Sequence, residues 1–182
     1  MTPEIVDRDE FIVVGVRAVL EVGALATGAL WREQFFPRKG EVAGVDRKYY
    51  GVFNFPSGAG GKPGRCEYVA GVARSLDSMP EGMVGWVIPS GKYARIHAAG
   101  LPGISPACRD LIAEWLPDSG FKRTDSPIVT CTAAEVPDSA GAEWEIYVPV
   151  ETPEEVEYLK KWGLYHSSRR FFRDENGVHE IQ

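Results

Sequence analysis

The chain has 182 residues, 44% of them hydrophobic and 25% charged, with a formal net charge of −6. That balance is expected of one globular domain with a modest appendage. No stretch approaches the roughly 20 apolar residues of a membrane span, and an acidic chain with no run of Lys or Arg longer than two repels phosphate backbones, so direct nucleic-acid binding is not expected.

The first segment, MTPEIVDRDE, is acidic and lacks the basic-then-apolar pattern of a secretory leader. A strand is predicted in EFIVVGVRAV, residues 10–19, followed by a helix from Ala24 to Phe36 that Pro37 stops. KYYGVFNF (48–55) and CEYVAGVAR (66–74) read as two further strands. Between them PSGAGGKPG is a flexible loop, not a phosphate-binding one, because Pro63 follows Lys62 where Ser or Thr is needed.

The second half repeats this order. GWVIPSGKYARIHAAG (85–100) supplies a strand bent at PSG. Ser105 suits a helix N-cap with Pro106 at the first helical position, and Cys108, Leu111, Ile112, Trp115 and Leu116 form one apolar stripe. Pro117 and Gly120 close the helix, and SPIVTCTA (126–133) and AEWEIYVPV (142–150) are the last strands of the unit. Three pairs of segments correspond: EFIVVG with KYARIH, QFFPRKG with EWLPDSG, and EYVAGV with EIYVPV. Their offsets are 82, 80 and 78 residues. Three recurrences in the same order argue for a duplicated unit, with repeats over about 1–78 and 79–150. The expected fold is α+β: two strand-helix-strand-strand units in one antiparallel sheet, helices on one face, and a ligand cleft at the pseudo-twofold.

Strand alternation puts Trp144, Ile146 and Val148 under the helices and Glu145 and Tyr147 on the open face. On the matching strand Tyr68, Ala70 and Val72 face the core, and Glu67 and Val69 the cleft. A carboxylate thus stands at the equivalent place in each half. Glu145, with Trp, Ile, Tyr, Val and Pro as sequence neighbours, is expected to have its charge disfavoured by desolvation until a cation arrives. Aromatic placement adds Tyr50 and Trp86 as pocket candidates. Cys66, Cys108 and Cys131 form no C-x-x-C pair and His97, His166 and His179 are scattered. No disulfide framework, metal site or cofactor is implied, and a reducing cytoplasm is the default. Nothing resembles a Ser-His-Asp or Cys-His set.

The stretches PEIVDRDEFIVVGVR, YYGVFNF, EYVAGVA, MPEGMVGWVIPSGKYARIHAAG, CRDLIAEWLPDSGF and EWEIYVPV, in that order over residues 1–150, resemble the GyrI-like, or AraC-type effector-binding, domain of bacterial multidrug-responsive regulators. The resemblance implies small-molecule binding in the cleft, with the functional glutamate at Glu145, an aromatic at Tyr147 and another characteristic position at Tyr93. The function expected is a stand-alone binding protein for flat, apolar organic ligands, cations included, acting in sensing or sequestration. Some stand-alone members hydrolyse cyclopropane-bearing compounds, and in that alternative Glu145 deprotonates water with Tyr147 as its partner. A third expectation is a protein-binding module, as some relatives inhibit DNA gyrase. No helix-turn-helix precedes residue 1, so the chain is not expected to bind DNA itself. Residues 151–182 are a C-terminal extension, with a helix starting near Thr152, Pro153 and Glu155 and a hairpin around Asn176-Gly177. As a lid it would bring Trp162, Tyr165 or His166 near the ligand.

Overall fold

Among the described residues eleven strands form one antiparallel sheet. The coordinates are a computed structural model describing residues 2–21, 27–55, 64–135, 137, 139–162 and 169–181. Ala24, most of the PSGAGGKPG loop, Tyr165 and His166 lie outside the described residues. The strands are β1 (Glu4–Arg8), β2 (Phe11–Glu21), β3 (Tyr49–Asn54), β4 (Arg65–Ala73), β5 (Val84–Ile88), β6 (Gly91–Ala99), β7 (Lys122–Arg123), β8 (Ile128–Thr132), β9 (Glu143–Glu151), β10 (Arg170–Asp174) and β11 (Gly177–Ile181). Their spatial order is β1-β6-β9-β8-β3-β4-β2-β5-β10-β11, with β7 attached to β9.

The duplication is visible in that order. The set β6-β9-β8 repeats β2-β4-β3, and the two sets join where β3 pairs with β8, Val52 opposite Val129. Residues 85–100 are not one bent strand. Pro89 and Ser90 break the run, β5 pairs with β2, and β6 pairs with β9 and β1. The short strand β1, which the sequence reading left out, begins at Glu4, 80 residues before β5 begins at Val84. Each half therefore contributes its leading strand to the other half's flank, and the repeated unit is one strand longer than expected.

The helices repeat down to their hydrogen bonding. The first, α1, is α-helical over Thr27–Leu30, widens to a π-turn over Trp31–Phe35 and tightens to a 3₁₀ turn over Phe36–Glu41. The second, α2, passes through the same states over Gly100–Asp110, Leu111–Trp115 and Leu116–Asp118. The cause is shared. Pro37 and Pro117 donate no N–H and crowd the preceding turn, so the chain widens ahead of them, with Phe36 N–H reaching Trp31 O and Leu116 N–H reaching Leu111 O. The expected start of α2 at Ser105-Pro106 is overturned. The helix begins at Gly100, whose φ of +65° glycine tolerates, whose N–H bonds Ala142 O at 2.7 Å, and which leaves Pro102 in the first turn. Pro106 lies inside it.

The helices cover one face of the sheet. Trp31, Phe35, Leu111, Tyr68, Trp144 and Ile146 form its core with no exposed surface, and Trp31 Nε1 donates to the Tyr68 hydroxyl at 2.9 Å. The opposite face carries a second buried cluster, including Val52, Val69, Val129, Tyr50, Trp86 and Tyr147. The extension forms α3 (Pro153–Lys161), held by a capping box between Thr152 and Glu155, and the hairpin β10–β11, which lengthens the sheet beside β5. Trp162 stays 62% exposed beside Tyr158.

Gly15 faces Gly71 where β2 pairs with β4. A Cβ added at Gly71 would sit 2.2 Å from Val14 O, and one at Gly15 2.0 Å from Ala70 O. Gly71→Ala is therefore expected to destabilise the fold by about 1–3 kcal/mol, measured as a lower urea midpoint at unchanged m-value.

Candidate ligand-binding site

The register across the sheet assembles the site. Tyr50 pairs with Cys131, Cys131 with Glu145, and Glu145 with His97, in one row running through β3, β8, β9 and β6. One step along, Val52, Val129, Tyr147 and Arg95 form the next row on the same face. The side chain of Glu145 is 25% exposed. Its Oε2 accepts from the Cys131 thiol at 3.2 Å and from Lys48 Nζ at 3.3 Å, and its Oε1 lies 3.5 Å from Arg95 Nη1.

This set corrects the expectation that Glu145 stands uncompensated among rings. Burial works to raise its pKa, but the Cys131 hydrogen bond and the Lys48 charge outweigh burial, and the carboxyl sits below its ordinary 4.5. Cys131 in turn is a donor and no nucleophile: burial, then the neighbouring carboxylate, push its thiol up to about 12. The Tyr147 hydroxyl is also raised, first by burial, and so remains a proton donor at neutral pH.

The predicted aromatics gather on this face. Tyr93 meets Tyr147 edge-on at 6.4 Å between centroids and donates its hydroxyl to Pro89 O at 2.6 Å. Tyr50 lies 5.4 Å from Phe11 and donates to Asp46 Oδ2 at 2.5 Å. Trp86 is fully buried, with the Arg170 guanidinium 5.9 Å from its ring. Arg170 also bonds Glu67 at 2.5 Å, so Glu67 and Trp86 belong to the flank formed with the C-terminal hairpin, apart from Glu145. The two carboxylates are nevertheless matched. Glu67 has Arg17 at 3.5 Å from the neighbouring β2 strand, as Glu145 has Arg95 at 3.5 Å from β6.

Sequence reasoning missed Arg8, Phe11, Lys48, Arg95, Cys131 and Arg170. Cys131 and Arg95 were within reach of strand register. Arg8 and Arg170 arrive on strands whose partners are distant in sequence. A cavity of about 270 Å³ opens beside Tyr93, Lys92, Pro149 and Glu151, and one of about 460 Å³ beside Lys48, Arg47 and Tyr49. An apolar cavity of about 210 Å³ under α2, lined by Phe53, Leu101, Ile104 and Cys108, lies on the helix face away from Glu145. Chemically, the arrangement sets buried aromatic rings, with the Tyr50 and Tyr93 hydroxyls already engaged, beside a stably ionised carboxylate. A carboxylate held below its usual range is a weak base for activating water.

Together these features define a duplicated α+β domain whose halves share one antiparallel sheet, with polar and aromatic groups gathered on the helix-free face. The chain belongs to the family described as the GyrI-like small molecule binding domain, which matches residues 1–151. It is 32% identical over 124 residues to the transcriptional regulator BrlR of Pseudomonas aeruginosa, covering 67% of this chain and 44% of the regulator. The chain thus spans less than half the length of that protein. In fold it is similar to SAV2435, solved bound to tetraphenylphosphonium, with a TM-score of 0.59 at 17% identity, covering 87% of this chain and 99% of that one. It is also similar to EcmrR in a DNA complex, with a TM-score of 0.61 at 17% identity, covering 83% of this chain and 57% of that one. Among the described residues no helix is long and apolar enough to cross a membrane.

The depressed Glu145 pKa stabilises the folded state above the ordinary carboxyl value, and that contribution is lost as pH falls through the folded value. Lys48→Met removes the nearest cation and is expected to move the Glu145 titration midpoint upward, read by carboxyl carbon NMR. An unmoved midpoint would show that Cys131 and Arg95 alone hold the charge.

Proposed function

We propose that residues 1–150 form a binding domain for flat, apolar organic molecules, cations included, on the sheet face carrying Glu145 and Tyr147. Its role is sensing or sequestration in the cytoplasm, without direct nucleic-acid contact by this domain, and residues 151–182 serve as an extension. The observation that carries the reading is the gathering of Tyr50, Tyr93 and Tyr147 around an ionised Glu145 on one face of the sheet. Rings supply area for a planar ligand, their cation–π contact adds about 0.5–2 kcal/mol for a positive one, and the carboxylate among them favours the same sign of charge. That the structurally similar SAV2435 is bound to tetraphenylphosphonium supports the same class of ligand here. Glu145 enters as an electrostatic partner and not as a base, in keeping with its depressed pKa.

Titration with tetraphenylphosphonium and a panel of cationic and neutral planar dyes tests the reading. Saturable quenching of tryptophan fluorescence is expected for at least one compound. Glu145→Gln should weaken cationic compounds about tenfold and leave neutral ones little changed. Absence of any spectral change across the panel would reject the binding function.

A further inference from the structure

Arg8 is the last residue of β1, the strand that leaves the first half to pair with β6 of the second, and it stands opposite Gly91. Its guanidinium carbon lies 4.0 Å from the Tyr147 ring centroid and 4.8 Å from that of Phe11. That is the position a flat cation would take against Tyr147. A cation already fills it, supplied by the chain itself.

The other charges of the site are balanced. Lys48 and Arg95 share Glu145, and Arg95 also pairs with Glu4. Asp46 accepts the Tyr50 hydroxyl and the Lys48 backbone N–H. Arg8 differs: among the described residues no carboxylate stands within ion-pair distance of it, and its Nη1 is buried with no acceptor. Its charge works to lower the pKa of Tyr50, Tyr93, Cys131 and Tyr147, against the burial that raises them. Arg95 Nε is likewise a buried donor without an acceptor on this face, and so, on the flank formed with the C-terminal hairpin, is the Trp86 indole N–H. Folded proteins rarely leave such groups unmade, because each forfeits its hydration without return. The open donors beside Tyr147, Arg8 Nη1 and Arg95 Nε, call for oxygen acceptors, and the one buried carboxylate oxygen without a partner among the described residues, Glu151 Oε2, is not within ion-pair distance of Arg8.

We propose that Arg8 sets the ligand specificity of this site: its guanidinium, stacked on Tyr147 with an unused buried N–H, selects aromatic ligands bearing an accepting oxygen, above all a carboxylate, over plain lipophilic cations. This rests on the binding function proposed above and narrows its ligand class. A ligand carboxylate meeting Arg8 gains a charge-assisted hydrogen bond and leaves the stacking intact. A plain cation must expel Arg8 from the ring, losing that contact and placing two positive charges together.

Rhodamine 110 and its methyl ester, rhodamine 123, share one flat xanthenium and differ in the free carboxylate, so their affinity ratio reads this preference directly. The wild-type chain is expected to bind the acid about tenfold more tightly than the ester, measured by dye anisotropy. Arg8→Ala should abolish or invert that ratio, weakening the acid about tenfold while the ester is unchanged or tighter. Arg8→Lys, which keeps the charge without the planar fork, should retain part of the preference, and thermal melts of both variants establish that they fold. A wild-type preference for the ester, or an acid-to-ester ratio that Arg8→Ala leaves unaltered, would overturn the assignment while leaving dye binding standing. Failure of both dyes to bind the wild type at all would overturn it together with the binding function.

Discussion

The pairing of β3 with β8 is the constraint from which the rest follows. Val52 opposite Val129 joins two three-strand sets into one sheet and sets the register of every strand beyond them. Side chains alternate between faces, so a slip of one residue would carry Cys131 to the helix side and leave Glu145 without its thiol donor. It would also bring Thr130, which now bonds Gly51 O inside the helix-side core, onto the opposite face. Both buried clusters hold the register at once, since neither accepts the other's residues.

The exchange of leading strands adds a second lock. Because β1 flanks the second half and β5 the first, neither half completes its edge without chain from the other. The exchange also explains why the charged groups of the site come from so many places. Arg8 arrives on β1, Arg95 on β6, Lys48 just ahead of β3 and Glu145 on β9. Three of these four ride on paired strands and Lys48 lies one residue outside β3, which lowers the ordering cost of meeting a ligand.

Electrostatically, among the described residues, the carboxylates at the matched positions of the two halves are compensated. Burying an ion without a partner is costly, and both pseudo-symmetric carboxylates meet that cost with cations from the same chain: Lys48 and Arg95 for Glu145, Arg17 and Arg170 for Glu67. Arg8 meets it differently, by stacking between rings. Under the proposed function, ligand binding is then an exchange among existing interactions, in which differences in charge and acceptor count decide which molecules are held.

Much of this was legible in the chain itself. Apolar alternation placed Trp144, Ile146 and Val148 on the core face and Glu145 and Tyr147 on the other, because the side-chain period of a strand is local. The paired prolines at 37 and 117 announced a duplicated helix end, because a missing N–H acts on its own turn. What the sequence could not supply was the partner of each segment. EIVDR is too short and too charged to declare itself a strand, and the break at Pro89-Ser90 looks locally like a bend. Only tertiary pairing brought Arg8 onto Tyr147 and surrounded Glu145 with Lys48, Arg95 and Cys131. A charge's surroundings depend on strands that meet through space, and residue order along the chain carries no measure of that distance.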